Sequence, residues 1–263
     1  MKLRLVPARQ GALWVRQAFR VFFRQPLAFS ALFFLFVFGA FMLLVVPFVG
    51  ALAMLTLLPI VTLGFMIATQ QSGHGRFPLP GVFLQPFRGE RSRVRALLQL
   101  GIAYAVASLA MMLLADLLDG GKFAQLQEGW MRGGESGEPI DDAGAQSSVL
   151  LRLVLAVPLS LAFWHAPALV HWCGVSAGKS VFFSIVACWR NRGAFVVYAL
   201  TWAGVIALFG VMSTLVFSLV STPQLASLAA LPAALMFSTV FYVSLYFTFA
   251  DCFELEPADT TDG

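Results

Sequence analysis

The densest run of chemically capable side chains is Phe163-Trp164-His165-Ala166-Pro167-Ala168-Leu169-Val170-His171-Trp172-Cys173. Two imidazoles and a thiol so close together invite metal-ligand, proton-transfer or nucleophilic readings, and each reading has a spacing requirement. A metal pair on one helix needs its ligands three or four residues apart. His165 and His171 are six apart, about 240° around a helix, so they share a face only if Pro167 interrupts it. His165 lies roughly two turns inside the membrane edge, a depth at which an ionisable group is a functional candidate. Two readings stand: a hydrogen-bonded structural histidine in an interfacial His/Trp belt, or a ligand- or proton-handling group. The three cysteines, Cys173, Cys188 and Cys252, have no CxxC spacing and are expected to be unpaired.

Charged residues within the apolar stretches are few. Asp116 sits near the outer end of the third stretch and Arg152 near the outer start of the fourth, at similar depth, so the two can pair. Asp251 closes the inner end of the sixth, within reach of a basic surface. None of the stretches carries a charge at mid-membrane, which argues against a proton- or ion-coupled transporter and leaves a passive or polar-lined path open. Phosphate-loop, zinc-protease, nucleophile-elbow and dinucleotide fingerprints do not occur. No enzyme activity, cofactor or metal is therefore expected.

These side chains must be positioned by membrane helices. Of 263 residues, 59% are hydrophobic, 26 are Phe and only 11% are charged, too little polar surface for a soluble domain. Six stretches are long and apolar enough to span a bilayer: 27–46, 49–69, 96–118, 149–172, 194–220 and 226–250. An apolar first stretch of that length, followed at once by a second, argues against a cleaved signal peptide. Short turns make tight hairpins of the first two and the last two spans. The third and fourth are separated by a Gly-rich, acidic segment, 119–148, read as an outer solvated loop. The class expected is an all-α polytopic bundle of three hairpins.

The net charge of +4 does not point to nucleic acid, because the basic residues cluster between apolar runs. Fourteen of the 17 Lys and Arg fall on one side of the bundle, and Lys122, Arg132 and Arg152 on the other. That bias places the basic side, both termini and the acidic tail 251–263 in the cytoplasm. Residues 11–24 form an amphipathic helix with Arg16, Gln17, Arg20 and Arg24 opposite Trp14, Ala18, Val21 and Phe22. Such a helix lies in the headgroup plane, its arginines drawn to anionic lipid. Residues 176–190 are a weaker version, with Lys179 and Arg190 on the polar side. Phe23-Arg24-Gln25 before the first span matches Trp189-Arg190-Asn191 before the fifth, and Phe87-Arg88-Gly89 before the third is a looser copy. The second helix of each pair contains a proline (Pro59, Pro158, Pro232). Three repeats of surface helix plus hairpin follow from this. Small residues four apart, Gly101 and Ala105 or Ala199, Ala203 and Ala207, suit close helix seams.

The run Phe163–Trp172, with Lys179-Ser180-Val181-Phe182-Phe183-Ser184 and the opening Val6-Pro7-Ala8-Arg9 with Gly11 and Trp14, resembles a family of six-helix inner-membrane proteins from beta-proteobacteria. The resemblance covers most of the chain and implies a bacterial inner-membrane location without an assigned activity. The sequence-based expectation is a non-enzymatic protein that acts through lipid or protein contacts, self-association included; the alternative is a small transporter or channel with a polar path near His165.

Overall fold

The computed structural model describes residues 2–124, 142–220 and 223–254. The loop residues 125–141 and the tail 255–263, read from sequence as acidic, lie outside the described residues. The chain runs β1 (Lys2–Leu3), α1 (Gln10–Arg24), α2 (Pro26–Leu44), α3 (Val49–Gly73), two 3₁₀ turns (Pro80–Phe83 and Gln85–Arg88), then α4 (Arg91–Asp119). It continues as α5 (Asp142–Phe163), α6 (Ala166–Cys173), α7 (Ala177–Arg190), α8 (Arg192–Val220), α9 (Pro223–Cys252) and β2 (Phe253–Glu254). Six helical stretches are long and apolar enough to cross a membrane, with α5 and α6 together forming one of them. The bundle is all-α and polytopic.

The three-fold pattern in the sequence is visible in the packing. Each unit opens with a short surface segment and continues into a hairpin: α1 before α2–α3, the 3₁₀ pair before α4–α5, α7 before α8–α9. Each surface segment packs on a hairpin other than its own. α1 lies on α8 and α9, the 3₁₀ pair on α3, and α7 on α5 and α6. Of the proline-containing second helices, α3 is the most central, packed against both α9 and α6, the short helix that continues α5. Apolar residues on the outer faces, such as Phe34, Phe38, Leu113 and Leu208, are exposed. That inverted polarity is what a bilayer solvent requires.

One expectation about α1 is corrected by this packing. Its apolar face does not rest among acyl chains: Trp14 and Ala18 are fully buried against protein, with Val15 and Phe22 beside them. At Gly11 a Cβ would collide with the Ala194 carbonyl and the Tyr198 amide, so a residue without one lets α1 seat on α8. The small-residue ladders divide in the same way. Gly101 and Ala105 are buried, whereas Ala199, Ala203 and Ala207 are exposed.

Both termini meet at one end of the bundle. β1 and β2 pair antiparallel, Lys2 opposite Glu254 and Leu3 opposite Phe253. The Arg4 N–H extends the ladder to the Cys252 carbonyl at 2.8 Å. So short a ribbon is not stable alone. Asn191, buried at the junction of α7 and α8, holds it: its Oδ1 accepts from the Val6 N–H at 2.9 Å, and its Nδ2 donates to the Arg4 and Ala187 carbonyls, each at 3.1 Å.

Candidate functional site

The fourth span breaks at Trp164–His165, between α5 and α6, so it is not one continuous helix. Pro167 is the local cause. It has no N–H for the Phe163 carbonyl, and its ring would clash with that carbonyl in a straight helix. A serine from another element completes the break. The Ser184 hydroxyl on α7 accepts from the His165 N–H at 3.0 Å and donates to the Leu161 carbonyl at 2.7 Å. Those two backbone groups would have been an i, i+4 pair of an intact helix, and a side chain now stands between them. The helix restarts when the Leu169 N–H reaches the His165 carbonyl at 3.0 Å.

The break turns the His165 ring into a fully buried aromatic nest formed by Phe195, Phe249 and Phe253, with centroids 5.9, 6.1 and 5.4 Å away. Neither ring nitrogen has a hydrogen-bond partner among the described residues. The ring lines none of the cavities described below. Trp164 turns the other way and donates from Nε1 to the Thr248 hydroxyl at 3.0 Å. Asp251, read from sequence as facing the basic surface, is held instead by α1: it accepts from Gln10 Nε2 at 2.6 Å and Trp14 Nε1 at 2.7 Å. A carboxylate thus pins a surface helix to the last span.

At the opposite end of the bundle Arg152 joins α5 to α4. It pairs with Asp116 and, at 2.5 Å, with Asp119, while its guanidinium sits 4.1 Å from the centre of the Phe123 ring. Asp119 was not legible as a partner, although Asp116 and Asp119 are spaced to share a helix face.

His171 is half-buried on α6, and its carbonyl accepts from Arg93 Nη1 at 3.2 Å. It lines a polar cavity of about 600 Å³ together with His74, Gln70, Gln71, Arg76 and Gln85. The fold therefore brings His171 to His74 and leaves His165 elsewhere. A second, apolar groove of about 550 Å³ runs between α2, α3 and the first 3₁₀ turn. A third, smaller cavity of about 170 Å³ lies among the inner helices, where Thr62, Tyr104, Ser160, Trp164 and Tyr242 contribute polar atoms. Among the described residues, no group of three or more His, Cys, Asp and Glu could hold a metal ion.

The basic surface residues Arg16, Arg20, Arg24, Lys179 and Arg190 are all exposed. On α7, burial pushes the Cys188 thiol up to about 12, with the nearby Cys252 sulfur adding to the effect. Such a thiol is a small hydrophobe, not a nucleophile. Cys252 is also buried, whereas Cys173 is partly accessible.

No family model matches the chain, and no solved structure matches it. Among curated proteins it is similar to a probable inner membrane protein of Burkholderia thailandensis, 32% identical over 257 residues, which covers 97% of this chain and 95% of that protein. Identity at that level over nearly the whole length of both chains, together with six helices long and apolar enough to cross a membrane, leads to one conclusion: the chain belongs to the family of multi-pass inner-membrane proteins represented by the Burkholderia protein.

Proposed function

We propose that this chain is a non-enzymatic inner-membrane protein that acts through contacts between anionic lipid and its basic end, with both termini in the cytoplasm. The observation that carries the reading is the geometry of α1. Its apolar face is locked into protein while Arg16, Arg20 and Arg24 stay exposed on the other side. Held this way, the three guanidinium groups form a fixed row, and Lys179 and Arg190 on α7 extend the basic surface. Among the described residues none of the five pairs with a carboxylate. A cation at an anionic membrane surface is worth about 1 kcal/mol, roughly fivefold in local lipid preference.

The test is lipid enrichment around the full chain in nanodiscs of phosphatidylglycerol and phosphatidylethanolamine. Substituting Gln at Arg16, Arg20, Lys179 and Arg190 lowers the phosphatidylglycerol enrichment. Enrichment equal to that of the wild type rejects the reading. Removing Met1–Arg24 is not a clean version of this test, because it also strips Trp14 and Ala18 from the core.

The alternative, a small transporter or channel, draws support from the small cavity beside Trp164, where Thr62 and Ser160 stand among aromatic residues, and not from the enclosed His165 ring. Solute flux in vesicles that Ser160→Leu abolishes would favour it.

A further inference from the structure

The polar cavity and the apolar groove share one wall. Val61 and Leu57 of α3 line the groove, and Ile67 and Gln71 line the polar cavity. Together with Gly64 these positions recur every three or four residues, so they form a single stripe along α3. The Phe83 ring interrupts the stripe. It sits on Gly64 so closely that a Cβ there would collide with it. In the 3₁₀ pair the neighbours Leu84 and Gln85 divide between the two spaces, Leu84 on the groove and Gln85 on the polar cavity.

The two spaces differ in chemistry in the way the two ends of an amphiphile differ. The groove is walled by Leu, Phe, Ala, Gly and Pro. The polar cavity offers Arg76, His74, His171 and three glutamines, with no carboxylate among its lining residues. Arg76 is exposed and, among the described residues, forms no ion pair. Length agrees as well. From Gln71 to Met54 at the far end of the groove is 17 residues, about 26 Å of helix. One leaflet, headgroup included, is about 22 Å.

We propose that the cavity and groove form one site for an anionic phospholipid, its phosphodiester held by Arg76 and the glutamine amides and one acyl chain laid in the α2–α3 groove. The site deepens the reading given above, because it names a particular lipid position at the basic end and rests on that reading. It differs from the surface row in depth, since the lipid here is bound inside the protein outline and should survive removal of annular lipid. The Arg76 guanidinium separates a headgroup of net negative charge from a zwitterionic one with the same chains.

The experiment is native mass spectrometry of the full chain after delipidation and titration with phosphatidylglycerol or phosphatidylethanolamine of identical acyl composition. The wild type retains one phosphatidylglycerol in preference to phosphatidylethanolamine. Arg76→Gln reduces that preference by about fivefold and leaves an acyl-bound lipid in place. The double variant Gly39→Leu/Gly81→Leu obstructs the groove with two added side chains and removes the retained lipid of either type. Both glycines line the groove, and a Cβ at either one meets nothing within 4 Å, so each side chain starts in open space. Unfolding temperature in lipid-free detergent confirms that the variants are intact.

The proposal is overturned if the groove-obstructed variant still retains lipid, if the two lipids are retained equally by the wild type, or if obstructing the groove dissolves a dimer and leaves lipid retention unchanged. Arg16, Arg20, Lys179 and Arg190 are untouched in these variants. Loss of the bound lipid with annular enrichment preserved, or the reverse, therefore shows which of the two readings has failed.

Discussion

Replacing Ser184 by Ala tests the account of the broken fourth span. The hydroxyl is fully buried and serves two backbone groups, accepting from the His165 N–H and donating to the Leu161 carbonyl. Leaving a buried donor or acceptor unpaired costs about 1–3 kcal/mol each, which sets an upper bound of roughly 2–6 kcal/mol for the pair. The true value is lower, because these two groups are natural helix partners four residues apart. Without the serine they can move toward each other, although Pro167 still prevents a regular helix from forming through the break. We therefore expect a loss of about 2 kcal/mol, or roughly 4–8 °C in unfolding temperature for a chain of this size. The assay is thermal unfolding in a fixed detergent, followed by the onset of aggregation or by cysteine unmasking. Ser180→Ala is the control, since its hydroxyl only reaches the Ala177 carbonyl at the start of the same helix. Equal melting temperatures for Ser184→Ala and the wild type would refute the idea that this hydroxyl holds the break open. So would an equal loss from the Ser180 control.

Two further outcomes follow from particular contacts. Asp251→Ala removes the acceptor for Gln10 and Trp14, two charge-assisted bonds, and frees α1 from the last span. Limited proteolysis should then cut within residues 2–24 at least several times faster, whereas Asp251→Asn, which keeps one acceptor oxygen, should be cut at an intermediate rate. Thiol labelling in the folded state should reach Cys173 first and leave Cys188 and Cys252 unmodified. The Cys188 thiol, raised to about 12 by burial, stays neutral throughout the range below that value. Its labelling should therefore not increase between pH 7 and 9 unless the chain unfolds, and an increase with pH in the native state would refute the burial.

Much of the candidate site was legible where chemistry depends on local spacing. The six-residue spacing announced that His165 and His171 do not share a face of an unbroken helix, Pro167 announced the break, and the matching depths of Asp116 and Arg152 announced their pairing. The partners that satisfy these groups were not legible, because they come from distant segments. Asn191 stood out in the sequence only as part of a repeated tripeptide, and two of its four polar contacts, with Val6 and Arg4, depend on the segment after β1 arriving from the other terminus. Trp14 reads from sequence as part of an amphipathic stripe and Gln10 lies just outside it; only the fold places Asp251 against both. His74, 97 residues before His171 in the chain, shares a cavity with it only because α3 and α6 pack together.

The sequence by itself determined the class, the number of spans and the membrane setting. Runs of about 20 apolar residues have no other solvent, and a helix in lipid satisfies its own backbone locally. It also pointed to three units of surface segment and hairpin, since prolines and basic tripeptides recur at corresponding positions. Tertiary structure alone decided which face of α1 is covered by protein, which way the His165 ring turns, and which hairpin each surface segment rests on. Those outcomes depend on shape complementarity between elements far apart in the chain. Within a bilayer the hydrophobic effect does not choose among apolar faces, so packing and the pairing of scarce polar groups make the choice.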